Sequence, residues 1–208
     1  MDSSVRAPWL WLVALLPCAC LAPGSSSGPS GSLTTSRAQI HWEPDLAVAR
    51  APFDDVQVNW KQRLREAYVF VEHTGSYTRM DAAFESCAAA LRAQGVKPSG
   101  PPFALFYDDP GEVAAHALRA RACYPVAAPQ AAEAPLGYDV LDGTTVVYAF
   151  VGGPYPEVPR AYPALYAFMR GMSWVETGPL REVYLSDPTV ESPDDLVCEV
   201  QIPATPGN

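Results

Sequence analysis

Apolar and polar positions along this chain follow two periods, and the same succession of periods is written twice. Residues 66–73 (EAYVFVEH) and 144–151 (TTVVYAFV) are rich in β-branched and aromatic residues with a period of two, which predicts a strand in each place. Each run ends at a glycine two residues before a tyrosine, Gly75-Ser76-Tyr77 and Gly153-Pro154-Tyr155, and the spacing then turns helical. In 80–95, Phe84, Cys87, Ala88 and Leu91 share one helical face and Gly95 supplies a stop. In 160–171, Tyr162, Leu165, Tyr166 and Met169 do the same and Gly171 is the stop; Pro159 and Pro163 are tolerable near a first turn. Gly100-Pro101 and Gly178-Pro179 then break the chain. Residues 102–110 (PFALFYDDP) and 180–188 (LREVYLSDP) predict strands closed by Asp-Pro, because proline cannot continue a central ladder. Residues 116–126 and 195–203 predict a last strand in each half.

One gapless offset of 78 residues, Gly75 onto Gly153, superposes the halves. It carries Tyr77 onto Tyr155, Phe84 onto Tyr162, Leu91 onto Met169, Phe106 onto Tyr184, Asp109-Pro110 onto Asp187-Pro188 and Pro125 onto Pro203. A repeat takes precedence over any other reading of the fold. Upstream, 56–60 (VQVNW) and 138–145 (YDVLDGTT) predict an extra first strand per copy, with Asp142-Gly143 as a hairpin turn. The expected architecture is α+β: duplicated βαββ modules, about 56–125 and 136–203, with two antiparallel sheets facing a central cleft and one main helix per module. Residues 126–135 link the copies.

The amino terminus reads differently. An apolar run from Pro8 to Ala22 follows Arg6, and a Gly/Ser/Pro-rich stretch follows it. This has the length of a signal-peptide core and is short for a spanning helix. Residues 1–22 are expected to be a signal peptide or lipoprotein signal, with Cys20 or Cys18 as the lipidated residue, and 23–54 a tether and lead-in to a domain at 55–204. Lipoprotein, secreted protein and uncleaved anchor all put the domain outside the cytoplasm or across a membrane. A net charge of −9 argues against nucleic acid, whose phosphates need clustered lysine and arginine. It is compatible with a cationic ligand. Cys87, Cys123 and Cys198 have no zinc spacing, and His41, His73 and His116 form no ligand-spaced cluster, so no metal or cofactor is expected. The odd cysteine count leaves the pairing of Cys123 with Cys198 open, as is the oligomeric state.

Gly153-Pro154-Tyr155, Gly178-Pro179, EVYLSDP (182–188) and CEVQIP (198–203), with HTGSY and FYDDP in the first copy, resemble the GyrI-like family, also called the AraC-type effector-binding domain. The resemblance covers about 55–204. It implies a hydrophobic cleft that binds lipophilic, often cationic, small molecules. Many members are fused to DNA-binding domains of multidrug-sensing regulators, others inhibit gyrase, some hydrolyse strained cyclopropane-containing drugs, and a membrane-tethered branch acts as a receptor. This chain departs from the regulators, having an export signal and no helix-turn-helix segment.

In the family a glutamate of the Glu-x-Tyr strand meets the ligand's positive charge, which here matches Glu182. Period-two alternation puts Glu182 and Tyr184 on one face and Val183 and Leu185 on the other. The first pair is expected to line the cleft and the second to lie under the helix. The symmetric positions, Ala104 and Phe106, would give room and an aromatic wall. Tyr155 and Tyr77 are expected at the rim, Glu199 in the same space, Tyr148 as a lining residue and Trp174 as a closing or core residue. Aromatic rings around a carboxylate add cation–π attraction for a ligand. Catalysis is not the first expectation: no Ser-His-Asp set or phosphate loop occurs, and Asp108-Asp109 and Asp194-Asp195 read as turns. A hydrolase using Glu182 as general base, and an interaction module with a closed cleft, are the alternatives.

Overall fold

The computed structural model describes residues 43–129 and 131–207, so the apolar run, Cys18 and Cys20 lie outside the described residues. The strands are β1 (Val48–Ala49), β2 (Asn59–Arg63), β3 (Glu66–Thr74), β4 (Phe103–Phe106), β5 (Arg119–Pro125), β6 (Gly137–Leu141), β7 (Thr144–Gly152), β8 (Trp174–Glu176), β9 (Leu180–Tyr184) and β10 (Val197–Pro206). The helices are α1 (Met80–Gln94) and α2 (Tyr162–Gly171), each entered through a short 3-10 turn that starts at Tyr77 or Tyr155. Gly75 and Gly153 precede those turns at φ 130° and 115°, in the region that favours glycine. Gly95 caps α1 in the left-handed conformation (φ 66°). No helix among the described residues is long and apolar enough to cross a membrane.

The fold is α+β with one main helix per half. The offset of 78 reappears in the strand register. Tyr68 pairs with Pro125 as Val146 pairs with Pro203, and Phe103 pairs with Cys123 as Arg181 pairs with Gln201. At the centre β4 pairs with β9, setting Ala104 directly opposite its own counterpart, Glu182. An approximate twofold axis therefore passes between these two residues.

Two expectations need correction. The halves do not form two separate sheets: the β4–β9 ladder joins them into one ten-stranded sheet, ordered β1-β7-β10-β9-β4-β5-β3-β6, with β2 also on β7 and β8 on β10. Nor do the first strands form hairpins within their own copies. β2 pairs with β7, and β6 pairs with β3, so each copy lends its first strand to the other. Asp142-Gly143 does make a tight link, but turn chemistry fixes the link and not the strand that β6 will pair with.

This exchange forces the sheet to curl. β7 and β3 stand five interstrand spacings apart, about 24 Å in a flat sheet. Leu64-Arg65 must carry the chain from β2, beside β7, to β3, and such a link reaches at most about 11 Å. The two links in fact meet: Arg63 donates to the Asp142 carbonyl at 3.0 Å, and Arg65 lies 3.8 Å from the Asp142 carboxylate. The curl buries both faces. The outer face packs against the helices, with Val147, Val151, Leu165, Val200 and Ile202 in its core. The inner face holds Tyr68, Phe70, Phe103, Leu105, Cys123 and Val183. Cys123 thus faces away from Cys198, and all three described cysteines are free and buried.

Inner packing is tight where β6 meets β3. Gly137 pairs with Phe70, and a Cβ at 137 would sit 2.4 Å from Cζ of that ring. The ring face is held by the Arg121 guanidinium, 3.8 Å from the centroid. Gly137→Ala is expected to destabilise by roughly 1–3 kcal/mol through overpacking, read as a lower denaturant midpoint; an unchanged midpoint would show slack here.

Candidate functional site

Glu182 sits at the middle of β9, on the outer face beneath the helices. Only 4% of it is exposed. Its carboxylate accepts hydrogen bonds from the Tyr184 hydroxyl (2.8 Å) and from the Tyr162 hydroxyl, at the first residue of α2. No cationic side chain pairs with it among the described residues. Burial raises its pKa, and the two phenols partly oppose the rise by stabilising the charged form. Burial and the adjacent carboxylate in turn push both phenols well above their ordinary value.

Aromatic rings continue from this carboxyl across the twofold axis. Tyr184 packs on Tyr155 (centroids 4.7 Å) and on Phe84 of α1 (5.4 Å), and Phe84 meets Tyr124 edge-on at 6.3 Å. Beside them Phe106 pairs with Leu180 across β4–β9 and meets Tyr77 at 4.8 Å. The floor is Ala104 and Glu182. This sets one buried carboxyl in an aromatic surround contributed by both helices and the central ladder.

Not every expected site residue is here, and the faces are exchanged. Glu182 and Tyr184 do share a face, but it is the one under the helices; Val183 and Leu185 belong to the inner face. Period two says which residues share a face, never which face a helix covers. Glu199 lies on the inner face, opposite Val183, buried and paired with Lys61 Nζ at 2.7 Å. Tyr148 is inner too, its ring under Lys61 Nζ at 4.1 Å and its hydroxyl donating to Asp45 at 2.9 Å; burial and Asp45 push its pKa up to about 12. The Tyr77 and Tyr155 hydroxyls are anchored to backbone: Tyr77 donates to the Asp108 carbonyl (2.9 Å) and Tyr155 to the Ser186 carbonyl (2.6 Å), equivalent contacts in the two copies. Trp174 is half-buried on β8 against Trp60 at 5.8 Å and the edge of the outer core. None of the ring or hydrogen-bond contacts of Trp174 reaches Glu182.

Spacing puts Tyr162 on the shared face of a helix with Leu165, Tyr166 and Met169 and gives it no site role. The signal for more lies in the repeat. Ala104, Phe106 and Phe84 in the first copy become Glu182, Tyr184 and Tyr162 in the second. The acid and both hydroxyls that bind it stand together in the second copy and are all missing at the matching positions of the first. Tyr162→Phe should remove about 1–2 kcal/mol of stability at neutral pH by leaving a buried carboxylate one donor short. The loss should shrink in acid, where the carboxyl is neutral. Unfolding curves at both ends of that range test this, and a pH-independent loss would mean that the hydroxyl only fills space.

An α+β domain of two pseudo-symmetric halves, with one sequestered acid among aromatic rings at their junction, defines a small-molecule-binding module. The chain belongs to the GyrI-like family: residues 66–205 match the family described as the GyrI-like small molecule binding domain. Among solved structures it is similar to the C-terminal domain of EcmrR (16% identity, TM-score 0.66, covering 73% of this chain and 99% of that one). It spans 58% of the EcmrR chain seen in a complex with DNA. It is also similar to SAV2435 bound to tetraphenylphosphonium (12%, TM-score 0.54, 72% and 94%) and to a hydrolase from Listeria innocua (15%, TM-score 0.52, 76% and 94%). At these identities the likeness concerns the fold. No curated protein sequence matches the chain.

Proposed function

We propose that this protein binds lipophilic cations between α1 and α2, with Glu182 as counter-charge, and that it does so as an exported, membrane-tethered protein. The observation that carries the ligand class is the Glu182 carboxyl, buried among aromatic rings and satisfied by two phenols alone. A buried acid without a cation is expensive to keep. A ligand that brings a diffuse positive charge and apolar surface recovers that expense, and the surrounding rings add attraction. The tetraphenylphosphonium carried by SAV2435 is a ligand of this chemistry and supplies the probe. Tethering rests on the apolar run from Pro8 to Ala22 and on Cys18 and Cys20.

Isothermal titration with tetraphenylphosphonium should give saturable binding and a rise in thermal midpoint, while a neutral, equally apolar compound binds more weakly. Equal affinity for the neutral compound would remove Glu182 from the reading. The same carboxyl, between two hydroxyls, has the groups for general-base chemistry. Turnover of a strained-ring substrate, lost in Glu182→Gln, would make the protein a hydrolase instead.

A further inference from the structure

The inner face of the curled sheet carries charge of its own. Arg181 precedes Glu182 on β9, so it points to the opposite side, where only 4% of it is exposed. Its guanidinium face lies on Phe103, 3.9 Å from the ring centroid. One terminal nitrogen donates to Glu66 at 2.6 Å and the other reaches Gln201 at 3.5 Å, while the buried Nε–H has no acceptor. Arg63, on β2, is brought close by the crossing of the two tight links. It donates to the Asp142 carbonyl, and its Nε–H is likewise buried without an acceptor. Burial first, and then the positive charge of Arg181, lower the Arg63 pKa to about 10, with Glu66 opposing. Arg181 is thus ion-paired with Glu66, and Arg63 lies within the electrostatic reach of both. The neighbouring Lys61 is already matched by Glu199, and Asp45 is exposed beyond Tyr148. Arg121, on the same face, is matched by Glu72 and Asp139, so it is around Glu66 that two guanidiniums face one carboxylate, with two Nε–H donors unpaired.

We infer that the inside of the curled sheet holds an anion-binding site at Arg63 and Arg181, taking a small monovalent anion such as a halide or an acetate-like carboxylate. The anion would accept from the two Nε–H groups, which buried donors require, and would neutralise the surplus charge. It would also tie β2 to β9, strands that belong to different halves. This site lies on the other side of the sheet from Glu182 and stands whether or not Glu182 binds a cation.

Crystals soaked in bromide should give an anomalous peak within hydrogen-bonding distance of Arg63 Nε and Arg181 Nε; a water there, or bromide only at the surface, overturns the proposal. In solution, raising bromide to about 100 mM should lift the thermal midpoint by several degrees over gluconate at equal ionic strength, as mass action on the folded state requires. An equal lift by acetate extends the site to carboxylates, and no lift by either anion overturns it. Arg181→Met, or Arg63→Met if the first variant does not fold, should lose the response. Arg65→Ala, at an exposed position, and Glu182→Gln should keep it.

Discussion

Glu182→Gln is expected to weaken tetraphenylphosphonium binding by at least about tenfold, near 1.4 kcal/mol or more, while leaving the fold intact. Glutamine keeps the shape and an acceptor for one phenol, but it cannot answer a positive charge. The free protein should respond in the other direction. Glu182 has a raised pKa when folded, so between the ordinary and the folded value the native state holds a proton that the unfolded chain has released. Its contribution to stability is complete below the ordinary value near 4.5 and is lost as pH rises through the folded value. Wild type should therefore lose stability relative to Glu182→Gln across that interval and stay lower above it. Titration calorimetry and unfolding curves at several pH values test both halves of the statement. A variant that binds the cation as tightly as wild type would sink the assignment of Glu182 as counter-charge.

Phe103→Ala should produce the largest loss of stability, about 3–5 kcal/mol, a large share of the 5–15 kcal/mol typical of a domain. Phe103 is fully buried at the start of β4, beside the twofold axis. It packs against Tyr68 (5.4 Å) and carries the Arg181 guanidinium on its face. Removing the ring opens a cavity and strips the apolar support from a buried cation. Phe103→Leu should recover most of the loss if volume dominates. Poor recovery would mean that the cation–ring contact is the larger part. A midpoint that barely moves in Phe103→Ala would show that the inner face is not a core.

The sequence made much of this legible, for physical reasons that also mark its limits. Short-range periods gave β3, β7, α1 and α2, because each is a local response to spacing and to glycine. The repeat offset survived into the strand register, where Ala104 meets Glu182. What sequence could not supply was the third partner of each strand. Asp142-Gly143 has the chemistry of a tight turn whether β6 returns along β7 or crosses to β3. Likewise, alternation grouped Glu182 with Tyr184 but could not tell a helix-covered face from the inside of a curl. Glu199 went astray for the same reason: it is one residue out of phase with Val200, which lies opposite Glu182 on the outer face.

The lending of first strands between copies has a consequence for how the protein is made and unmade. Asn59 must find Tyr148, and Phe70 must find Gly137, before either end of the sheet is finished. Neither half is a complete folding unit as it leaves the ribosome. Closure of such distant pairs carries most of the entropic barrier, so assembly should be slow and concerted, and unfolding should take down both halves at once. Ligand held over the central ladder would then guard strands far beyond those it touches.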